Sequence, residues 1–301
     1  DTSDAVIGVV GGSGDDAENV SFVAAGAKLY TLNIPADGET VNLSDQPNLT
    51  TSAQIKSISL SKIDDATGKT LLIGLGDENG LSSILRVAPS NTLSQVDIDN
   101  APRVELAAGY TDIVDMGDID GDGLDDIGLQ SENGVVRLPR SVFENDNAIV
   151  RIGSSGEDIF VSSADDEVFV GMAGDDTYSF SGSFGHDVID NTSSSAFEDD
   201  NILFNADISP EQLWFSKSGD DLLIEVLGGD QSINVVDWYG EDTSAKLDHI
   251  SFADGRDLVS HEVEQLVSIM AGVSRTGDEE LVTDALSQAQ VEEEVEQLWS
   301  A

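Results

Sequence analysis

The sequence predicts a mainly β protein: propeller-like β-blades first, then a short roll of parallel strands with a β-rich cap, and a C-terminal α-helical segment. Three observations carry this reading. Strand-length apolar segments separated by Gly/Asp/Asn turns recur in the first half, with turn glycines Gly26, Gly80 and Gly134 spaced 54 residues apart. A ninefold pattern of glycine, acid and apolar residue runs through residues 153–190. Helical three- and four-residue spacing of apolar side chains sets in beyond Ser260.

Residues 1–145 form the blade-like β-domain. Segments 18–32, 71–87 and 125–138 align on the three glycines, each standing between two apolar strands as a hairpin turn requires. Repeats of roughly this length point to propellers or solenoids. The third copy carries the clearest chemistry. Asp118, Asp120, Asp122 and Asp126 occupy positions one, three, five and nine of a loop, with the Leu124 carbonyl at position seven. Gly121 and Gly123 permit the curvature. Alternate side chains on a tight loop converge on one centre, and four carboxylates suit a calcium ion. The stretch is similar to the D-x-D-G-D-G-x-x-D loop of FG-GAP and integrin-type β-propeller blades. It departs from an EF-hand, because Leu129 stands at the twelfth position and a strand is expected to follow.

The other two copies are degenerate. Lys62, Asp64, Asp65 and Ala66 stand near the equivalent loop of the second, where the lysine argues against metal. Gly12, Ser13, Gly14, Asp15 and Asp16 of the first are acidic but unpatterned. A metal is therefore expected only at the third loop. Three blades do not close a propeller, so either further blades precede residue 1 or the region is an open sheet domain. Residues 140–151 read as a connector.

The next region, 146–190, holds the ninefold units 153–161, 162–170, 171–179 and, after a two-residue insertion, 182–190. Their frame has glycine at the first and fourth positions, an acid at the sixth and a large apolar residue at the eighth. Six residues rich in Gly and Asp close a tight turn. Three more make a short strand, with Phe160, Phe169, Tyr178 or Ile189 pointing inward. Two units complete a coil of eighteen residues, so units one and three share one edge and units two and four the other. An acidic Gly/Ser linker would not place aromatics and Ile at every eighth position.

This pattern resembles the calcium-binding nonapeptide G-G-x-G-x-D-x-U-x of the RTX (repeats-in-toxin) family of type I secreted bacterial proteins. The resemblance implies a parallel calcium β-roll, in which carbonyls and carboxylates of stacked turns make an oxygen cage. On the first edge the candidate ligands are Gly153, Ser155, Glu157 and Asp158, facing Gly171, Ala173, Asp175 and Asp176. The second edge is expected to bind weakly or not at all. There Ser162, Asp165 and Glu167 stand where the frame wants Gly, Gly and Asp, and Asp187 is the candidate ligand.

Residues 191–258 read as a β-rich cap. Ser209, Pro210 and Glu211 make a helical start with a capping hydroxyl, proline at the first helical position and an acid in the first turn. Strands follow at 213–217, 222–227, 232–238 and 249–252, separated by Gly/Asp turns. Residues 182–258 closely resemble the module that follows the nonapeptides in many haemolysin-type calcium-binding proteins. Trp214, Phe215, Trp238 and Tyr239 are most economically core residues; stacking on a sugar is the alternative use of such rings.

Residues 259–301 read as a helical tail. Val263, Leu266, Val267 and Met270 fall on one face. A break at 274–277 is expected to precede a second helix carrying Leu281, Ala285, Leu286, Ala289, Val295, Leu298 and Trp299. A C-terminal amphipathic segment after such repeats resembles the uncleaved signal read by a type I exporter.

Composition narrows the partners. Lys+Arg 13 against Asp+Glu 59 gives a formal net charge of −46 over 301 residues, which argues against nucleic acid or an anionic membrane as partner. With no cysteine there is no disulfide or thiol chemistry. No apolar run approaches the ~20 residues of a membrane helix. The chain starts at Asp1 without Met or a signal-peptide pattern, so it is expected to begin inside a longer product. Among His186, His249 and His261, only the last begins a zinc-protease pattern, and Gln265 breaks H-E-x-x-H. No G-x-S-x-G elbow or phosphate loop is present, so no enzyme is expected in this segment.

The resulting expectation is the calcium-binding C-terminal region of a secreted bacterial RTX protein. It would pass through a type I exporter, fold on calcium outside the cell and act in adhesion or assembly at the cell surface. Its partner would be a glycan, a protein or a like subunit. The rival readings are a folding carrier for an upstream toxin or hydrolase, and a self-associating surface-layer or filament subunit.

Overall fold

The structure is a computed structural model describing residues 6–11, 20–33, 48–63, 69–88, 93–144, 148–192, 198–241, 243–271, 274–276 and 280–282. It is mainly β, and the chain divides into two compact units, Asp1–Asn147 and Ala148–Ala301.

In the first unit the described strands pair as antiparallel neighbours. Strands β1 (Val6–Gly11), β2 (Val20–Ala25), β3 (Lys28–Asn33) and β4 (Asn48–Thr50) form one sheet in that order. Strands β5 (Gln54–Ser61), β6 (Thr70–Asp77) and β7 (Gly80–Val87) pair in sequence, and β8 (Arg103–Leu106) pairs with β7 after the short helix α1 (Gln95–Asp99). Strands β9 (Asp112–Gly117), β10 (Asp126–Ser131) and β11 (Gly134–Arg137) make a third sheet, followed by a turn of helix, α2 (Ser141–Glu144). Gly26, Gly80 and Gly134 sit at the turns of the β2–β3, β6–β7 and β10–β11 hairpins, each with positive φ, which explains why glycine recurs there. Phe22 and Leu29 of the first sheet pack with Ile55, Leu71, Ile73 and Leu75 of the second in one apolar cluster. The degenerate acidic stretches at 12–16 and 64–66 lie outside the described residues.

In the second unit the chain alternates between two parallel sheets. Strands β12 (Ile149–Ile152), β14 (Glu167–Val170) and β16 (His186–Asp190) lie side by side in one. Strands β13 (Ile159–Val161), β15 (Thr177–Phe180) and β17 (Asn201–Phe204) do so in the other. The register fits the ninefold spacing: Ile149 faces Glu167 and Ile159 faces Thr177, each 18 residues on. Val168 faces Val188, 20 residues on, so the next coil absorbs the two-residue insertion.

The coil continues past the repeats. After a short 3-10 turn at Pro210–Gln212, strands β18 (Leu213–Ser218) and β19 (Asp221–Val226) form an antiparallel hairpin that leads into β20 (Ser232–Val235), parallel to β16. Strand β21 (His249–Phe252) lies parallel to β17, and β22 (Asp257–Val259) closes that sheet. Between the sheets sits an aromatic-rich core. Phe160 and Tyr178 stack at 5.3 Å, and Phe169 meets Phe180 edge-on at 6.2 Å. Trp214, Phe215 and Trp238 are buried in this core, and Tyr239 packs on it with Lys217 Nζ 4.4 Å from its ring centroid. The Trp214, Phe215 and Trp238 rings buried in this way are closed to a sugar.

The expected helical start at Ser209 is a single 3-10 turn, and the expected strand follows at once from Leu213 as β18. One element differs from expectation. Helix α3 (Ser260–Ala271) buries Val263, Leu266 and Met270, but the second helix does not begin at Leu281. Instead β23 (Ser274–Thr276) pairs antiparallel with β24 (Glu280–Val282), placing Arg275 opposite Leu281. The sequence between the two strands carries Gly277-Asp278, a turn signal. The remainder of the expected helix, 283–301, lies outside the described residues.

Candidate metal centre

On one edge of the second unit the acids that immediately precede strands β13, β15, β17 and β21 form a ladder. Asp158 Oδ2 accepts the Ser154 N–H at 2.6 Å and the Ser154 hydroxyl at 2.8 Å, which closes the first turn. The Asp158 N–H donates to Asp176 Oδ1 at 2.9 Å, that of Asp176 to Asp200 Oδ1 at 2.8 Å, and that of Asp200 to Asp248 Oδ2 at 3.1 Å. In parallel, the Asp199 N–H donates to Asp175 Oδ1 at 2.9 Å. Behind the ladder, Asn191 Nδ2 donates to Asp200 Oδ2 and its own oxygen accepts the Tyr178 hydroxyl, both at 2.8 Å.

The electrostatics of this edge are unfavourable as it stands. Asp176 is 2% exposed, and its carboxyl is pushed up to about 8 by burial, with Asp200 and Asp158 adding repulsion against the bond from the Asp158 N–H. Burial raises Asp200 as well, although bonds from Asn191 and the Asp176 N–H oppose it. Stacked buried carboxylates need either protons or a cation. The turns also explain their glycines. A Cβ on Gly153 would collide with the Gly171 carbonyl, and one on Gly171 with Asp176 Oδ2 and the Tyr178 hydroxyl. The close stacking of the oxygens therefore excludes a side chain at Gly153 and Gly171.

Glu167 and Asp187 of the second edge are buried too. Glu167, longer than the aspartate of the frame, is fully buried; its Oε2 accepts the Ser163 N–H at 2.6 Å. Arg151 Nη2 lies 2.8 Å from Glu167 Oε1, an ion pair whose alignment falls short of a hydrogen bond. Asp187 is 1% exposed, and its Oδ1 accepts the Glu167 N–H at 2.9 Å. Its Oδ2 has no hydrogen-bond donor among the described residues. Burial pushes this carboxyl up to about 7, and Glu167 and Asp166 add repulsion that Arg151 partly offsets. An orphaned, buried carboxylate oxygen is a rarity that calls for a partner. Beside it, Gly185 packs so closely on the Asp165 carbonyl and Asp166 that a Cβ there would clash. A hard cation such as calcium would relieve the buried carboxylates on both edges.

Three participants were not identified from the sequence. Asp200 and Asp248 continue the ladder, and their signal was present: Asp176-Thr-Tyr-Ser-Phe, Asp200-Asn-Ile-Leu-Phe and Asp248-His-Ile-Ser-Phe share one acid-to-phenylalanine frame. Arg151 has no sequence signal, since it reaches Glu167 from outside the repeats. His249 stands beside the last rung, with Nδ1 2.8 Å from Asp257 Oδ2 and Nε2 3.4 Å from Asp199 Oδ1. Burial would lower its pKa, but Asp257, Asp199 and Asp248 outweigh burial and raise it.

In the first unit, carboxylate oxygens of Asp118, Asp120 and Asp126 converge to within 4.8 Å of one another. Arg137 forms ion pairs with Asp120 and Asp126, and Arg140 Nη2 lies 3.2 Å from Asp122 Oδ2. Burial alone would raise the Asp126 carboxyl, yet the Ile119 N–H and Arg137 hold it below the ordinary range.

Two comparisons with known proteins bear on the chain. Residues 221–257 match the model of the haemolysin-type calcium binding protein related domain. Over 109 residues the chain is 33% identical to a multifunctional-autoprocessing repeats-in-toxin protein of Vibrio vulnificus. That match takes in 34% of this chain and 2% of the relative, so the chain spans a small fraction of the length of the curated relative it matches. Both likenesses support a calcium-binding protein of the repeats-in-toxin kind, and a family of that kind is one of secreted proteins. No helix among the described residues is long and apolar enough to cross a membrane.

Proposed function

We propose that residues 148–258 are a calcium β-roll with its cap, and that calcium-linked folding outside the cell is what this segment does. The observation that carries this is the pair of buried acid edges, above all Asp176 between Asp158 and Asp200 and the orphaned Asp187 Oδ2. At low calcium, carboxylate repulsion favours an open chain that a type I exporter can pass. At the millimolar calcium of an extracellular medium, the ion supplies the missing charge. Sites of extracellular modules have affinities of about 10⁻⁴–10⁻³ M. Each bound ion then adds its binding free energy to the stability of the fold.

In this reading the segment is no enzyme. Its hairpin-rich first unit presents a surface for adhesion or extracellular assembly, retained at the bacterial surface. A second reading, in which the segment is the folding carrier of an upstream toxin, has the likeness to the repeats-in-toxin protein behind it.

Calcium titration calorimetry on the full chain tests the proposed edges. Asp176→Asn is expected to remove calcium from the first edge and Asp187→Asn from the second, each lowering the stoichiometry. Unchanged stoichiometry in both variants would rule the edges out.

A further inference from the structure

We infer that the 118–126 loop is closed by arginines and holds no resident calcium, Arg137 and Arg140 supplying the positive charge that its motif leads one to seek from a metal. The loop presents four acids, and all eight of their carboxylate oxygens accept from protein donors. Asp118 Oδ1 takes the Gly121 N–H at 2.7 Å and its Oδ2 the Gly123 N–H at 3.0 Å. Asp120 Oδ1 takes the Asp122 N–H at 3.2 Å, and its Oδ2 takes Arg137 Nη2. Asp122 Oδ1 takes the Leu124 N–H at 2.8 Å and its Oδ2 takes Arg140 Nη2 at 3.2 Å. Asp126 Oδ2 takes the Ile119 N–H at 2.7 Å, and its Oδ1 takes Arg137 Nε at 2.6 Å.

Strand pairing sets this arrangement. Arg137 faces Gly128 across the β10–β11 ladder, and Asp126 lies two residues before Gly128 on the same strand. A long side chain reaches such a diagonal neighbour. A planar fork with five donors is suited to bridging two carboxylates, which a point charge does less well.

The loop's backbone is engaged by a third base. Lys62 Nζ donates to the Gly123 carbonyl at 2.8 Å, its N–H donates to Asp125 Oδ2 at 2.6 Å, and its carbonyl accepts the Asp125 N–H at 2.7 Å. Three of the chain's 13 basic residues thus stand against a single loop of a chain carrying 59 acids. The loop also differs from the coil edges in solvation. The Asp120 and Asp122 side chains are 43% and 49% exposed, so water as well as arginine stabilises their charge, whereas Asp187 is buried with an oxygen left over. The charge balance that calcium provides at the edges is provided here by the protein.

The full chain, titrated with calcium by calorimetry, separates the alternatives. Asp118→Asn, and independently Asp122→Ser in case one variant misfolds, should leave the stoichiometry of the parent chain unchanged. Arg137→Gln combined with Arg140→Gln frees the carboxylates and should add one calcium per chain, lost again when Asp118→Asn is included. A drop of one ion in the Asp118→Asn or Asp122→Ser chain would overturn the inference, as would no gain in the double arginine variant. Failure of the calcium β-roll is seen separately, as indifference of the parent chain's binding to Asp176→Asn and Asp187→Asn.

Discussion

Asp176 and Asp187 are carboxylates that water would keep ionised and that the coils bury. Folding lifts Asp176 from an ordinary 3.8 to about 8 and Asp187 to about 7, burial being the main cause in both. The sign of the pH effect follows. A carboxyl with a raised folded pKa favours the fold while it is protonated, below its unfolded value. That contribution is lost as pH rises toward the folded value. In chelator, any folding of the second unit should therefore be strongest near pH 4 and be lost as pH rises toward about 8, and Asp176→Asn should flatten that loss. With calcium present the trend should reverse, because the ion binds deprotonated ligands. Thermal melts across this range decide it; a flat profile in chelator would show that these acids are not under strain.

At the scale of elements, the strands are held by the aromatic layer between the two parallel sheets. Phe169 is fully buried among Phe160, Tyr178 and Phe180. Phe169→Ala should cost about 3–5 kcal/mol, by the usual penalty for an emptied aromatic site. Ile159→Ser, on the outward face of β13, should stay within about 0.5 kcal/mol. Denaturant melts in calcium measure both, and equal losses would mean that the coil's inside and outside are misassigned. The same elements show what the sequence made legible. Stacking equal coils demands a fixed repeat, so the 18-residue register of β12–β14 and β13–β15 could be read from glycine, acid and aromatic spacing. The later rungs were hidden because spacing, not chemistry, breaks down. Asp200 lies 24 residues beyond Asp176, and Asp248 a further 48, since loops and the β18–β19 hairpin intervene. Arg137 was hidden for another reason: its bond to Asp126 depends on hairpin register, which no local motif states. The strand pair β23–β24 escaped because apolar spacing in so short a stretch fits helix or strand equally.

At the scale of the whole molecule, a net charge of −46 opposes compaction of the chain, and its two units meet that charge differently. In the first, arginine and lysine neutralise the acid loop from within. In the second, on the reading proposed above, calcium from the medium would do so at the acid edges. With calcium at a hundred times its dissociation constant, each site would stabilise the fold by about 2.7 kcal/mol. A few such sites would move the second unit from largely unfolded to stably folded, since whole domains are stable by only about 5–15 kcal/mol. The most direct measurement is far-UV circular dichroism with thermal melting of the full chain at neutral pH, first in EGTA and then in millimolar calcium. Adding calcium should give a large gain of β signal and a new melting transition, beside a transition from the first unit that calcium leaves in place. Identical spectra and identical melting in the two media would contradict calcium-linked folding.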